Sequence, residues 1–150
     1  MRATGWGATT CTIAMRFVDT NVLLYAVSTV EDERAKARAA REILEAEDLA
    51  LSVQVLQEFY VQATRKTRVG QLTHEQAATL VEAFLRFPVQ ENTVALMRAA
   101  LQTGERFRIS YWDAAVVEAA RSLGCDTLLS EDLGHGTDYG GVRVVNPFAG

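Results

Sequence analysis

The chain has 150 residues, of which 49% are hydrophobic and 23% charged, and its net charge is −4. These values are typical of one globular domain with a real core, and they exclude a bulk polycation, so a nucleic-acid partner would need a local basic patch. No apolar run approaches the ~20 residues that span a bilayer. Two cysteines without metal-site spacing favour a reducing, cytoplasmic setting.

Residues 1–14 are rich in Gly, Thr and Ala and follow neither a helical nor a strand pattern. They are too polar to form the core of a signal peptide. We therefore expect residues 1–14 to be a disordered extension, or to precede a true start at Met15. One domain is expected over residues 15–150.

The first patterned stretch, residues 16–25, predicts a short strand that ends in the acid Asp19. Thr20 or Asn21 can cap the helix that follows. Asp19 would then lie at the carboxyl end of a strand, which is where open α/β sheets bind ligands. The alternative is that Asp19 serves only as a turn or capping residue.

Strand and helix patterns alternate along the rest of the chain. Helices are expected over 30–48, 54–66, 73–87, 93–107 and 110–123, and extended segments over 49–53, 88–90, 126–130 and 142–147. Such alternation predicts a parallel sheet covered by helices on both faces. The Gly-rich segment 134–141 is expected to be a mobile loop, and it lacks the spacing of a phosphate-binding loop.

Two further acids fall in the opening turns of predicted helices. Glu58 lies near the edge of an apolar arc, although a first-turn acid is also favoured by the helix dipole alone. Ser110 and Asp113 match an S-x-x-D capping box. On a helical wheel, Asp113 nevertheless falls inside an apolar arc with Trp112, whereas Glu118 falls on the polar side. A carboxylate on a buried face is costly unless a cap or a metal compensates it.

A fourth acid follows the predicted strand 126–130, which runs into Glu131 and Asp132. Turn formation is the alternative role for these two residues. The topology of an α/β sheet can bring this position and the three acids above to one edge. Carboxylates gathered in one pocket repel each other, and Mg²⁺ or Mn²⁺ would remove that cost because both prefer oxygen ligands. Such an ion can activate water and polarise a phosphodiester.

Four stretches resemble, in their order, the motifs of PIN-domain nucleases. They are FVDTNVLL at 17–24, VLQEFY at 55–60, SYWDAA at 110–115 and LLSEDLGHG at 128–136. The resemblance covers residues 15 to about 148. It implies a three-layer α/β/α sandwich with a mostly parallel central sheet, a Mg²⁺ or Mn²⁺ site, and cleavage of RNA phosphodiester bonds.

Carried over by position, the resemblance assigns the metal-binding and catalytic acids. They are Asp19, Glu58, Asp113 and Asp132, with Glu131 as the alternative to Asp132. Hydrogen-bonding support is expected from Thr20, Asn21, Ser110 and Ser130. At this size the chain is similar to the toxin of a VapBC-type toxin–antitoxin pair. That likeness implies a homodimer and a small antitoxin, one segment of which occupies the active-site groove.

Five basic residues are candidates for a local rim that contacts RNA. They are Arg65, Lys66, Arg68, Arg106 and Arg108. The first three close a predicted helix, where basic residues are also expected from the helix dipole alone. Arg106 and Arg108 precede the helix that carries Asp113, so they are expected near the site.

Other classes of protein share the size and the acidic pattern. An inactive PIN-fold binding protein would keep the fold without the chemistry, and the presence of all four acids argues against it. Phospho-receiver domains resemble one another in having two acids at the first strand and a Lys near the end of the chain. Here the first strand offers only Asp19, and no Lys follows Lys66. A haloacid-dehalogenase-type phosphatase needs D-x-D, and Asn21 occupies the third position.

Overall fold

The computed structural model describes residues 14–149, so the predicted extension lies almost wholly outside the described residues. The helices of the described part are α1 (Thr20–Ala26), α2 (Arg34–Leu44), α3 (Val53–Ala63), α4 (His74–Phe84), α5 (Val94–Phe107) and α6 (Tyr111–Ser122). The strands are β1 (Arg16–Val18), β2 (Leu49–Ser52), β3 (Val89–Gln90), β4 (Thr127–Leu129), β5 (Asp138–Tyr139) and β6 (Val142–Val145). No helix within residues 14–149 is long and apolar enough to cross a membrane.

The six strands form one sheet in the order β3-β2-β1-β4-β6-β5, and only β5 runs antiparallel to its neighbour. The chain moves from β1 outward to β3 and then crosses back to β4 on the other side of β1. Because such crossovers are right-handed, α1 to α4 cover one face and α5 and α6 the other. The predicted α/β/α sandwich is thereby confirmed, and the strand order reverses between β1 and β4.

The central strands are mostly hydrophobic, apart from Arg16 at the start of β1 and Ser52 at the end of β2. Phe17 and Val18 in β1 are fully buried, as are Leu49, Ala50 and Leu51 in β2. A parallel strand covered on both faces has no solvent side, so its residues do not alternate between apolar and polar. This packing fixes the strand ends, and with them the acids that follow.

The structure corrects the sequence-based reading of α6. Trp112 is 61% exposed, whereas Glu118 is only 6% exposed. The Glu118 carboxylate accepts hydrogen bonds from the Thr103 hydroxyl at 2.7 Å and from Arg121 Nε at 3.1 Å. The helical wheel placed Glu118 wrongly because α6 lies between α5 and the sheet and is buried on two sides. It placed Trp112 wrongly because the buried part of α6 begins at Ala114, after Trp112.

Two element boundaries also differ from expectation. The helix predicted over 30–48 is a 3₁₀ turn, Glu31–Glu33, followed by α2, which ends at Leu44. The Gly-rich segment contains β5, which pairs with β6 through a turn at Gly140 and Gly141. Both glycines have positive φ, at 62° and 102°, which explains why glycine occupies this turn. A two-residue strand carries too little pattern to be predicted.

Candidate active site

Four acids line one cavity at the carboxyl edge of the sheet, which we define as the edge where β1, β2 and β4 end. They are Asp19 after β1, Glu58 in α3, Asp113 in the first turn of α6 and Asp132 after β4. The cavity has a volume of about 180 Å³. It lies where the strand order reverses, which is the expected position for a ligand site in an open α/β sheet.

Asp19 is the most buried of the four acids, with 8% of its surface exposed. Its Oδ1 accepts the Thr20 N–H at 2.8 Å and its Oδ2 accepts the Ser130 hydroxyl at 2.7 Å. Burial raises the pKa of Asp19 to about 6, although these two hydrogen bonds lower it in part. The nearby carboxylates of Asp132 and Glu58 raise the pKa further. The site is therefore short of positive charge.

Two neutral side chains connect the acids. The Asn21 amide nitrogen donates to Asp19 Oδ2 at 3.4 Å and to Asp132 Oδ2 at 3.2 Å. The Thr20 hydroxyl donates to Glu58 Oε1 at 2.9 Å. Each of these neutral groups offers a hydrogen to a carboxylate, so they orient the acids without neutralising them.

Asp113 reaches the cavity through the cap of α6. The Ser110 hydroxyl oxygen accepts the Asp113 N–H at 3.1 Å, as an N-cap serine does. Asp113 is half-buried and lines the acidic cavity beside Trp112. Among the described hydrogen bonds, the Asp113 carboxylate accepts none from the Ser110 N–H, so only the N-cap half of the predicted capping box is present. The Asp113 side chain lines the cavity instead.

Glu131 and Asp132 are adjacent in sequence but lie in different surroundings. Glu131 pairs with Lys36 Nζ at 2.5 Å and accepts the Tyr25 hydroxyl at 2.5 Å. Burial alone would raise the pKa of Glu131, but these hydrogen bonds outweigh burial and lower it. Asp132, unlike Glu131, lines the cavity of Asp19, Glu58 and Asp113.

The five basic residues predicted to contact RNA do not lie together. Arg68 lines a separate cavity with Asp132 and Glu131, which we call the Arg68 cavity. The Arg68 guanidinium donates a hydrogen bond to the Leu24 carbonyl at 3.3 Å. Arg65, Lys66 and Arg108 are exposed.

Arg106 does not border the acids. Its guanidinium stacks on Phe107 and lies beside Gly140, in the turn that precedes β6. Because β6 runs parallel to β4, this turn is at the edge opposite the acids.

A model of the PIN domain family matches residues 16–135. The chain belongs to the PIN domain family. The match includes all four acids, from the end of β1 to the segment after β4.

Several solved structures resemble this PIN domain. The Mycobacterium tuberculosis VapC20 structure, of a sarcin-ricin loop cleaving toxin, matches at 19% identity and TM-score 0.61, over 78% of this chain and 89% of that chain. A Klebsiella pneumoniae toxin-antitoxin complex matches at 19% identity and TM-score 0.62, over 89% of this chain and 98% of that chain. Neisseria gonorrhoeae FitAcB matches at 20% identity and TM-score 0.59, over 89% of this chain and 98% of that chain. Such identities show the fold alone, and no curated protein sequence matches the chain.

The cavity of this PIN domain also has neutral residues that the sequence reasoning did not single out. Gln54, Gln62 and Trp112 line it. Gln54 is in the first turn of α3, directly after β2, so its position at a strand end was a signal that could have been used. Trp112 offered no such signal, because the helical wheel assigned it to the core.

The donor set of the site is compatible with a hard cation. The four acidic side chains at the cavity offer only oxygen atoms, which suits Mg²⁺ or Mn²⁺. In the described part of the chain, no three acidic, His or Cys side chains are already grouped to hold an ion. Mg²⁺ is commonly bound by one or two carboxylates and keeps several waters. The residues thus fit an open, water-rich site and not a closed cage.

Proposed function

We propose that this PIN domain is a metal-dependent endoribonuclease that hydrolyses RNA phosphodiester bonds. The observation that carries the proposal is the convergence of four carboxylates from four separate segments on one cavity. Within residues 14–149, none of the four forms an ion pair with Lys, Arg or His. Uncompensated carboxylates around a buried Asp19 are unfavourable for folding, so their arrangement indicates a cationic ligand.

The metal would be held by Asp19, Glu58, Asp113 and Asp132, which line the same cavity. When bound, Mg²⁺ or Mn²⁺ supplies an activated water and a Lewis acid for the scissile phosphate. The residues of the chain supply position. Ser130 and the Thr20 N–H fix both oxygens of Asp19, and Asn21 joins Asp19 to Asp132.

Protonation supports the same assignment. With a pKa of about 6, Asp19 is mostly ionised at neutral pH and can bind a cation. Below pH 6 a proton competes for the same oxygens. The affinity of the metal-free site for the cation therefore falls as the pH drops through this value.

The biological role proposed is that of a VapC-type toxin in the cytoplasm, with RNA as substrate and a small antitoxin as inhibitor. The likeness to the Klebsiella pneumoniae toxin-antitoxin complex and to the Mycobacterium tuberculosis VapC20 toxin supports this role. A homodimer is proposed as the working assembly.

The test is cleavage of total RNA with Mg²⁺ or Mn²⁺ and with a chelator, comparing the wild type with Asp19→Asn. Asp126→Asn is a matched control, because Asp126 is exposed and precedes β4 at the opposite sheet edge. We expect cleavage that requires both the metal and Asp19 and is unaffected in the control. Cleavage that survives chelation or Asp19→Asn would refute the proposal. Binding of RNA without cleavage under any condition would favour an inactive PIN-fold binding protein.

A further inference from the structure

A second cavity adjoins the acidic one and has a different chemistry. Its volume is about 400 Å³, and Gln54 and Trp112 line both cavities. The second cavity is also lined by Gln57, Asn92, Met97 and Tyr111. No acidic or basic residue of the described chain lines it, so it is not built for a phosphate or a metal ion.

The aromatic wall of this cavity is formed by Trp112, whose surface is 61% exposed. Its ring packs edge-to-face on Tyr111 with centroids 4.9 Å apart, and the Trp112 carbonyl accepts Gln54 Nε2 at 3.3 Å. The ring contact orients the indole and the Gln54 bond fixes the Trp112 backbone, at the junction of the two cavities. A large exposed aromatic ring held in this way offers a flat surface on which another ring can stack.

Two amide side chains also line the cavity, Gln57 and Asn92. Asn92 Nδ2 donates to Gln57 Oε1 at 3.3 Å, which orients both side chains. Among the hydrogen bonds of the described residues, the Gln57 amide nitrogen and the Asn92 amide oxygen have no other partner. The cavity therefore presents one hydrogen-bond donor and one acceptor next to an aromatic face. An unpaired nucleobase can stack on such a face and form hydrogen bonds through its edge.

We propose that this cavity binds one unpaired nucleobase of single-stranded RNA, next to the phosphate that lies at the four acids. The inference rests on the proposed function and adds a substrate class to it, because a base within a duplex has both faces stacked and cannot enter. Trp112 stacks on the base, while Gln57 and Asn92 contact its edge. A purely apolar protein segment fits less well, since it would leave these amides buried without partners.

The probe is a set of four single-stranded RNA trinucleotides, each with one base type, whose binding is followed by tryptophan fluorescence. The chain has two tryptophans, so Trp6→Phe leaves Trp112 as the sole reporter. Asp19→Asn in the same chain prevents turnover during the titration. We expect saturable quenching of Trp112 and a preference among the four bases.

Substitutions then separate stacking from edge recognition. Trp112→Ala should weaken trinucleotide binding roughly tenfold, the loss expected for one stacked base, and Trp112→Phe should restore most of it. These two variants need a fluorescent label on the RNA. Gln57→Ala should reduce the preference among bases more than the affinity for the best one. Leu101→Ala is the matched control, because Leu101 is 56% exposed on α5 and lies outside both cavities.

The outcomes distinguish the nucleobase site from the nuclease activity. If trinucleotides quench Trp112 but the wild type does not cleave RNA, the nucleobase site is supported and the nuclease function is refuted. If the wild type cleaves RNA and Trp112→Ala keeps the same affinity and base preference, the nucleobase site is refuted and the nuclease function is supported. A change of oligomeric state in Trp112→Ala, seen by size-exclusion chromatography with RNA binding unchanged, would identify a protein interface and overturn the proposal.

Discussion

The Ser130 hydroxyl donates a 2.7 Å hydrogen bond to Asp19 Oδ2 and so joins the ends of β4 and β1, 111 residues apart in sequence. Ser130 is fully buried, so water cannot replace the bond easily. The bond holds the most buried acid of the site in place, and it favours the ionised form because it is donated to the carboxylate.

Ser130→Ala should raise the pKa of Asp19 further above its value of about 6. We expect the free energy of unfolding at pH 7 to fall by about 1 kcal/mol, because a buried acceptor loses a partner. The pKa is measured by NMR titration of the Asp19 side-chain carbon in metal-free protein. Ser122→Ala is the control, since Ser122 is exposed at the end of α6. An unchanged Asp19 pKa would show that Ser130 does not tune this acid.

The stability of the metal-free protein should depend on pH through Asp19. Burial raises its pKa from 3.8 to about 6, so between these values the folded state holds a proton that the unfolded state has lost. This contribution to stability is complete below about pH 4 and is lost as the pH rises through 6.

Asp19→Asn removes that dependence, because the amide stays neutral at every pH. The variant should be more stable than the wild type by about 2–3 kcal/mol at pH 8, and this advantage should vanish near pH 4. Urea unfolding of both proteins across this range measures the difference. A constant difference at all pH values would mean that Asp19 is not the titrating group.

Glu131 and Asp132 should respond differently to neutralisation. Asp132→Asn changes a proposed metal ligand, so we expect RNA cleavage to fall by at least the ~10- to 100-fold that the loss of an outer-shell partner costs. Glu131→Gln should leave cleavage nearly unchanged and cost at most about 1 kcal/mol of stability, since the Lys36 side chain is 39% exposed and its pair with Glu131 is screened. Cleavage rates and urea unfolding of both variants check this. If cleavage were lost in Glu131→Gln and retained in Asp132→Asn, Glu131 and not Asp132 would be the fourth acid of the site.

Arg68 and Arg106 should differ in their effect on RNA affinity. Arg68 lines a cavity with Asp132, whereas Arg106 lies beside Gly140 at the far sheet edge. If Arg68 contacts one phosphate, Arg68→Ala should reduce the slope of log affinity against log salt by about 0.7, the value for one contact with a single strand. Filter binding at several salt concentrations measures the slope, with Arg106→Ala as the control. Equal effects of the two substitutions would contradict this placement.

The sequence was sufficient to predict the α/β class and the parallel sheet, because short apolar runs alternate with strong helices along the chain. It also predicted which acids follow strands or open helices, and the structure brings Asp19, Glu58, Asp113 and Asp132 to one cavity. Strand polarity explains this success, since the ends of parallel strands meet at one edge.

Other features were decided only by tertiary packing. The resemblance assigned Asp132 with Glu131 as the alternative, and the physical difference between them comes from Lys36, which lies 95 residues from Glu131 and pairs with it. A single-helix wheel placed Glu118 on the polar side although α5 covers it, and placed Trp112 in the core although it precedes the buried part of α6. Periodicity along one helix records only that helix, whereas the burial of a side chain depends on every neighbour that packs against it.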